Sequence, residues 1–411
     1  MTIFVSIAAY RDPELIPTLH DLVARARWPG DLRITICWQH GPDEPRPPDD
    51  LAAPLRLIEV PWQDSRGVCW ARAAIMQAYD GEDWFLQLDS HHRFVQDWDR
   101  LLIEQAELCG TSRPLLSTYP ASYDPDVPHG VSDQPTRLQL NNFHPGGNVS
   151  FGPRPMEGWE TRTAPMRARF VGAGMIFAPG RFVADVPYDP DLYFDGEELT
   201  LAIRAFTHGY ALHHPSRHVL WHQDSPRLRT RHWDDHVAER GVSVTGRVRD
   251  AASQEKVTRF LRQREIGPFG CGTARGFAEY EAYAGLDFHK LSATPAAWQG
   301  DEPPIAPPIA ADLKTWRLRI ALDRQALPEA AIDQPRFWYV GIHDADDIEI
   351  ARHDADRQEV NGALAGGGAD IVIERQIRSA CPPVRWTVWP VDRRGCWTER
   401  LSGTVVAEQV A

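Results

Sequence analysis

Lysine is nearly absent from this 411-residue chain: of its 44 basic residues only Lys256, Lys290 and Lys314 carry an ammonium group, and the rest are arginines. So general a bias reflects genome composition rather than a surface built for phosphate, and each arginine has to be judged by its position. Excess positive charge is lacking too. The formal net charge is −13, with acids and bases interspersed, which excludes a nucleic-acid groove as the main binding surface and a polybasic membrane anchor. The six cysteines, at positions 37, 69, 109, 271, 381 and 396, form no CxxC pair and no zinc-knuckle spacing, so reduced thiols in a cytoplasm are expected. No transmembrane segment is expected, since no stretch is long and apolar enough to cross a bilayer. The opening Thr2-Ile3-Phe4-Val5-Ser6-Ile7 lacks the charged region, long apolar run and small-residue cleavage site of a secretory signal. A soluble cytoplasmic protein with a small or neutral partner is the expectation.

The length suggests a catalytic unit of two hundred and some residues plus an appended module. Ile3 to Ala9 reads as a buried strand, and Arg11-Asp12-Pro13-Glu14 opens a helix with proline in its first turn and acids near its positive end. Leu32 to Trp38, Leu57 to Val60 and Trp84 to Leu88 read as strands, with Val68 to Tyr79 helical between the last two. Strands alternating with helices imply a mostly parallel, three-layer α/β sheet whose ligands sit at the carboxyl ends of the strands. From about Pro114 to Thr163 the chain is irregular, punctuated by Pro120, Pro125, Pro128, Pro135, Pro145, Gly146 and Gly147, and loops of that length are commonly functional. Ala168 to Pro179 returns to strand, Glu197 to Phe206 to helix, Ala211 to Trp221 to strand, and 225–290 reads as mostly helical, with a mixed polar segment at Arg231, His232, Trp233, Asp234 and His236. Asp301 to Pro308 is a proline-rich linker. Beyond it, short aromatic-rich stretches of period two around Trp316, Trp338, Ile371 to Ile373 and Trp386 to Trp389 suggest a separate β-sandwich. The expected boundaries are a catalytic domain over 1–300, a linker over 301–310 and an accessory domain over 311–411.

Four constellations carry candidate chemistry. Trp84 to Leu88 runs directly into Asp89-Ser90-His91, where a carboxylate and an imidazole two residues apart can reach one divalent cation. The same residues admit another reading, with Asp89 or Ser90 capping a helix and His91 and His92 merely exposed. Tyr193-Phe194-Asp195-Gly196-Glu197-Glu198 sets three acids around a glycine just before an amphipathic helix. Such acids favour a helix start, but three exceed what capping needs. His213, His214, His218 and His222 fall within ten residues, and His222 closes a strand where a neutral imidazole could complete a metal site. Arg66 and Arg72 flank Gly67 at a helix entry, suited to phosphate or a base edge or simply to pairing with an acid.

In this order, Ser6 to Asp12, Gly67 to Arg72, Asp89 to Phe94, Gly172-Ala173-Gly174, Phe194 to Glu198, Leu220-Trp221-His222 and Gly285 to Phe288 resemble the GlcNAc-transferase family of cytoplasmic Skp1 glycosyltransferases over about the first 290 residues. The resemblance implies a GT-A fold, a Rossmann-like nucleotide-sugar-binding mixed sheet with flanking helices, to which the β-sandwich-like domain is added. It implies a divalent metal, Mn2+ or Mg2+, held by Asp89, His91 and His222, and a UDP-sugar donor, UDP-GlcNAc favoured. Tyr10, Arg11 and Asp12 would line the uridine site, with Arg66 and Arg72 near it and Ser90, Gly172 and Gly174 on the donor side. Asp195, Glu197 and Glu198 would face donor sugar and acceptor in a retaining transfer. The acceptor could be a peptide, a glycan or a small molecule. Two other classes compete: a metallohydrolase using the same ligands, although no HExxH pair is present, and a non-catalytic carbohydrate-binding protein using Trp316, Trp338, Trp386, Trp389 and Trp397.

Overall fold

The computed structural model describes residues 1–126, 132–144, 146–225, 229–263, 268–306, 314–333, 335–345, 347, 349–366, 368–379 and 381–410. Pro128 and Pro145 of the irregular segment, 226–228 and 264–267 of the stretch read as helical, and Pro307 and Pro308 of the linker lie outside them.

The described residues fall into two compact units. The first takes in Met1–Thr258, Gly267–Phe269 and Tyr283–Ala306. Its strands begin with β1 (Ile3–Tyr10), β2 (Leu32–His40), β3 (Leu55–Pro61), β4 (Trp84–Leu88) and β5 (His92–Phe94). They continue with β6 (Pro114–Ser117), β7 (Thr136–Phe143), β8 (Val149–Pro155), β9 (Met166–Arg167), β10 (Met175–Pro179), β11 (Ala211–His214) and β12 (Leu220–His222). Eight of them form one sheet in the order β3-β2-β1-β4-β10-β6-β11-β9. The half from β3 to β4 is parallel, as alternating strands and helices predict. β10 enters antiparallel to both β4 and β6, so the sheet is mixed, as the GT-A expectation requires, rather than mostly parallel.

Strands in the parallel half read as nearly continuous apolar runs because both faces are covered. Ile3, Val5, Ile7 and Ala9 share one core with Leu15, Leu19, Leu22 and Val23 of helix α1 (Leu15–Arg25), Leu86 and Leu88 of β4, and Trp98, Leu102 and Ala106 of α3 (Trp98–Leu108). The interior faces of α1 and α3 repeat every three or four residues, which is what an amphipathic helix on a sheet demands. Phe4 turns the other way, against Tyr79 and Phe85, on the side where α2 (Val68–Met76) packs against β1 and β2. The segment expected to be irregular does contain order: β7 and β8 pair as an antiparallel hairpin, whose alternation is masked in sequence by Asn141, Asn142 and the flanking prolines. Conversely, the strand expected from Ala168 starts only at Met175, because residues 170–174 form the bend that borders the site.

The second unit takes in the described residues of Arg259–Ile266, Gly270–Ala282 and Pro307–Ala411. Lys314–Asp323 pairs antiparallel with Asp370–Ser379 and Val406–Val410, while Pro335–His343 and Arg385–Asp392 centre a second antiparallel sheet. Leu318, Ile320, Leu322 and Ile373 of one sheet and Trp338, Val340, Ile342, Trp386 and Val388 of the other belong to a single core, which gives the sandwich-like arrangement. Trp338 and Trp386 are buried there, as packing and not as sugar platforms.

Leu86 is wholly buried in the centre of the large sheet. Leu86→Ala should lower stability by about 2–5 kcal/mol through lost burial and the cavity left behind, read from the urea midpoint; a loss under about 1 kcal/mol would contradict this packing.

Candidate active site

β4 stops at Leu88, and the Asp89 amide donates to the Gly174 carbonyl at 3.1 Å, so the chain leaves the sheet where the bend before β10 lies beside it. Asp89, Ser90 and His91 form the turn, and β5 then pairs antiparallel with β12 so that His222 stands opposite His92. That two-stranded ladder joins segments about 130 residues apart and sets His222 against the Asp-x-His turn.

The result is compact. His91 Nε2 lies 3.0 Å from His222 Nε2, and Asp89 Oδ2 is 3.3 Å from the latter and 3.9 Å from the former. The three donor atoms all lie within 4.8 Å of one another. Behind them, His91 Nδ1 is 2.6 Å from Asp12 Oδ2 and His222 Nδ1 is 2.5 Å from Asp224 Oδ1. An ionised carboxylate can only accept, so each Nδ1 carries the hydrogen and each Nε2 turns its other side to the shared point. Two imidazole lone pairs and a carboxylate oxygen converging this closely require a cation between them, either a proton or a metal. Although burial works against it, hydrogen bonds to Asp224 and Asp89 push His222 up to about 9, so in the metal-free protein the proton sits there. His91 is held below the usual imidazole range by burial, which outweighs the pull of Asp12. Asp89 stays well below the usual carboxylate range despite burial, through the His222 hydrogen bond and the Arg72 charge. One hard oxygen and two borderline nitrogens suit a divalent cation of the transition series.

Next to this triad lies a buried acid cluster held by one guanidinium. Arg72, expected near a nucleotide, is 2 % exposed and donates to Asp89 Oδ1 at 2.7 Å and to Glu197 Oε1. The Tyr188 hydroxyl donates to the same Glu197 oxygen at 2.5 Å. Glu198 accepts from the Tyr119 hydroxyl and, at 2.7 Å, from the Ala173 amide; burial nonetheless pushes it up to about 7. Asp195, on the turn before helix α5 (Glu197–Thr207), is exposed, and its pKa is raised by partial burial and by Asp250.

A cleft of about 640 Å³ brings Asp89, His91 and His222 together with Asp195, Glu197 and Glu198, and also borders Tyr10, Asp12, Arg72, Ser90 and Gly174. Gly174 is needed there: a Cβ would sit 3.1 Å from Asp89 Oδ2. Gly172 lies behind the wall, where its missing Cβ admits the Tyr119 ring, a close approach no side chain would permit. Arg11 is set back, tied to Glu44 at 2.9 Å and Asp235 at 2.7 Å, and Arg66 is exposed, lying over the Trp70 ring. Tyr119, Tyr188, Asp224 and His232 complete the site and were not anticipated among its residues. Asp224 had a legible signal, two residues after a candidate ligand. His232 accepts or donates at Tyr193 Oη, 2.6 Å from its Nδ1, and lies 4.8 Å ring to ring from Tyr10; the two tyrosines at 119 and 188 carried no pattern.

The profile of the glycosyltransferase (GlcNAc) family matches residues 2–53 and 48–290, the larger part of the chain. The chain belongs to that family. Among curated proteins none matches. Solved structures that resemble this glycosyltransferase include GalNAc-T7 with UDP, GalNAc and Mn2+ at 14 % identity, covering 66 % of this chain and 52 % of that one with a TM-score of 0.43. S. aureus TarS 1-349 in complex with UDP-GlcNAc follows at 13 % identity, covering 56 % and 60 % with a TM-score of 0.35. The glycosyltransferase thus spans between half and two thirds of the length of these chains.

Any cation seated among these three donors would compete with the proton on His222, which must leave for Nε2 to present a lone pair. Mn2+ affinity should tighten by nearly tenfold per pH unit from about pH 6 toward 9 and level off above, since His222 sits at about 9. Titration calorimetry in buffers of different ionisation enthalpy at pH 7 should show about one proton released per ion; a pH-independent affinity would exclude His222 as a ligand.

Proposed function

We propose that this glycosyltransferase is a divalent-metal-dependent enzyme that moves N-acetylglucosamine from UDP-GlcNAc to a hydroxyl acceptor with retention of configuration. The observation that carries the proposal is the convergence of Asp89, His91 and His222 on one point, with each imidazole backed by a carboxylate. A divalent cation there, manganese in preference to magnesium given two nitrogen donors, supplies positive charge for the diphosphate that departs when the sugar–phosphate bond breaks.

The chain's own residues support the remaining parts. Tyr10 and His232 offer ring faces for a nucleobase in the same cleft as the metal ligands, and Ser90 borders that cleft. Arg72 reaches Asp89 and Glu197 at once and holds them side by side. Glu197 and Glu198 already hold hydrogen-bond partners on the wall of the cleft, which suits orienting sugar hydroxyls better than removing a proton in line from an acceptor. Asp195, exposed at the mouth, is the acid we assign to the acceptor side. The sequence resemblance favours the Skp1 branch of the family and a cytoplasmic setting, and among the described residues no helix is long and apolar enough to cross a membrane. An acceptor peptide, glycan or small molecule is compatible with an open mouth of this kind.

UDP and Mn2+ together should raise the melting temperature by more than the sum of their separate effects, because the cation and the diphosphate attract one another and each tightens the other's binding, on top of the mass-action stabilisation of about 2.7 kcal/mol that each gives at a hundredfold excess over Kd. His91→Ala and His222→Ala should each abolish that synergy while keeping the far-UV circular dichroism of the parent. Full synergy in both variants would refute the metal assignment. In the absence of acceptor, slow hydrolysis of UDP-GlcNAc should exceed that of UDP-glucose; equal or reversed rates would remove the N-acetyl preference.

A further inference from the structure

Asp12 follows the end of β1 and was expected to contact the nucleotide, yet both of its carboxylate oxygens are engaged by the protein's own donors. Its side chain is 2 % exposed. Oδ1 accepts the Glu14 amide at 2.9 Å, and Oδ2 accepts both the Ser90 hydroxyl and His91 Nδ1 at 2.6 Å. Three donors point at this carboxylate, and none of them leaves it free to reach a base or ribose.

We infer that Asp12 is a positioning residue for the metal site: it fixes the His91 ring in the tautomer and orientation that direct Nε2 at the cation. The inference rests on the functional reading above and assigns Asp12 a part in it that the nucleotide expectation does not contain. Imidazole has two nitrogens and, when neutral, one hydrogen. Free in water a histidine ring favours the hydrogen on Nε2, the arrangement that would aim an N–H at the metal. A buried acceptor against Nδ1 removes the wrong arrangement before any ion arrives, and makes the ring a stronger donor once one does. Ser90 and Glu14 matter because they hold the carboxylate itself in place, so that the ring cannot swing while Asp12 stays bonded.

Asp12→Asn tests this with little change in shape. The amide oxygen is claimed by the Glu14 N–H, which leaves the NH2 group facing His91 Nδ1 and the Ser90 hydroxyl. His91 must then accept at Nδ1 and carry its hydrogen on Nε2, toward the metal. Mn2+ affinity measured by calorimetry should weaken by about ten- to hundredfold, whereas UDP affinity measured without metal should change less than about twofold. In metal-free wild-type protein, the ¹⁵N shifts of His91 should report the hydrogen on Nδ1, and in the variant on Nε2.

An Asp12→Asn protein that loses metal-free UDP binding and keeps its Mn2+ affinity would overturn the inference and restore Asp12 to the nucleotide. Wild-type protein with the His91 hydrogen on Nε2 would overturn it even if the variant fails to fold. A wild-type protein that binds no Mn2+ would bring down the functional reading and this inference together; wild-type and variant proteins that bind Mn2+ equally would bring down the inference alone.

Discussion

Two imidazoles whose Nδ1 hydrogens are committed to carboxylates behind them cannot rest with Nε2 atoms 3.0 Å apart beside a third carboxylate oxygen unless a proton or a metal ion lies between them. Much else in the first unit follows from that single constraint. The Nδ1 side of each ring must be tied down, and Asp12 and Asp224 do so. The strand ends must be brought level, which the β5–β12 ladder does by placing His222 opposite His92. The backbone across the gap must be slender, and Gly174 leaves the room that Asp89 uses.

The acid cluster obeys a related logic. Asp89, Glu197 and Glu198 lie together on one wall, and burying three negative charges without compensation would be prohibitive. Arg72 divides two of them, contributing a planar fork that reaches both at once, which a lysine could not do at the same two points. Glu198 makes no ion pair among the described residues and is raised to about 7 by burial. Within one small wall, charge compensation and proton uptake are thus both used, and the carboxyls differ in character although they lie next to each other in sequence.

Strand and helix placement in the parallel half was readable because period and apolar content there reflect burial on both faces: β4 runs over the five residues expected. That Asp89, His91 and His222 would meet was readable for a related reason, since polar side chains at strand ends interrupt a pattern that is otherwise regular. The β7–β8 hairpin was not, because Asn141 and Asn142 and the prolines around it imitate loop chemistry while the pairing is decided by partners across the turn. Arg72 shows the limit from the other side. A guanidinium beside a glycine at a helix start has the same sequence signature whether it faces a phosphate or two buried carboxylates, and only the approach of β4 and α5 distinguishes the cases. Tyr119 and Tyr188 are hidden similarly, since a hydroxyl aimed at a buried acid leaves no periodicity.

The ladder that carries His222 to His91 also has a bearing on how the protein is made. A nascent chain that has emerged past Phe94 holds two of the three donors at one turn, but the third arrives only when Leu220–His222 has been synthesised and has docked against β5. Until then the turn holds one carboxylate and one imidazole alone, so the three-donor cluster is assembled only after more than half of the polypeptide has left the ribosome and closed on itself.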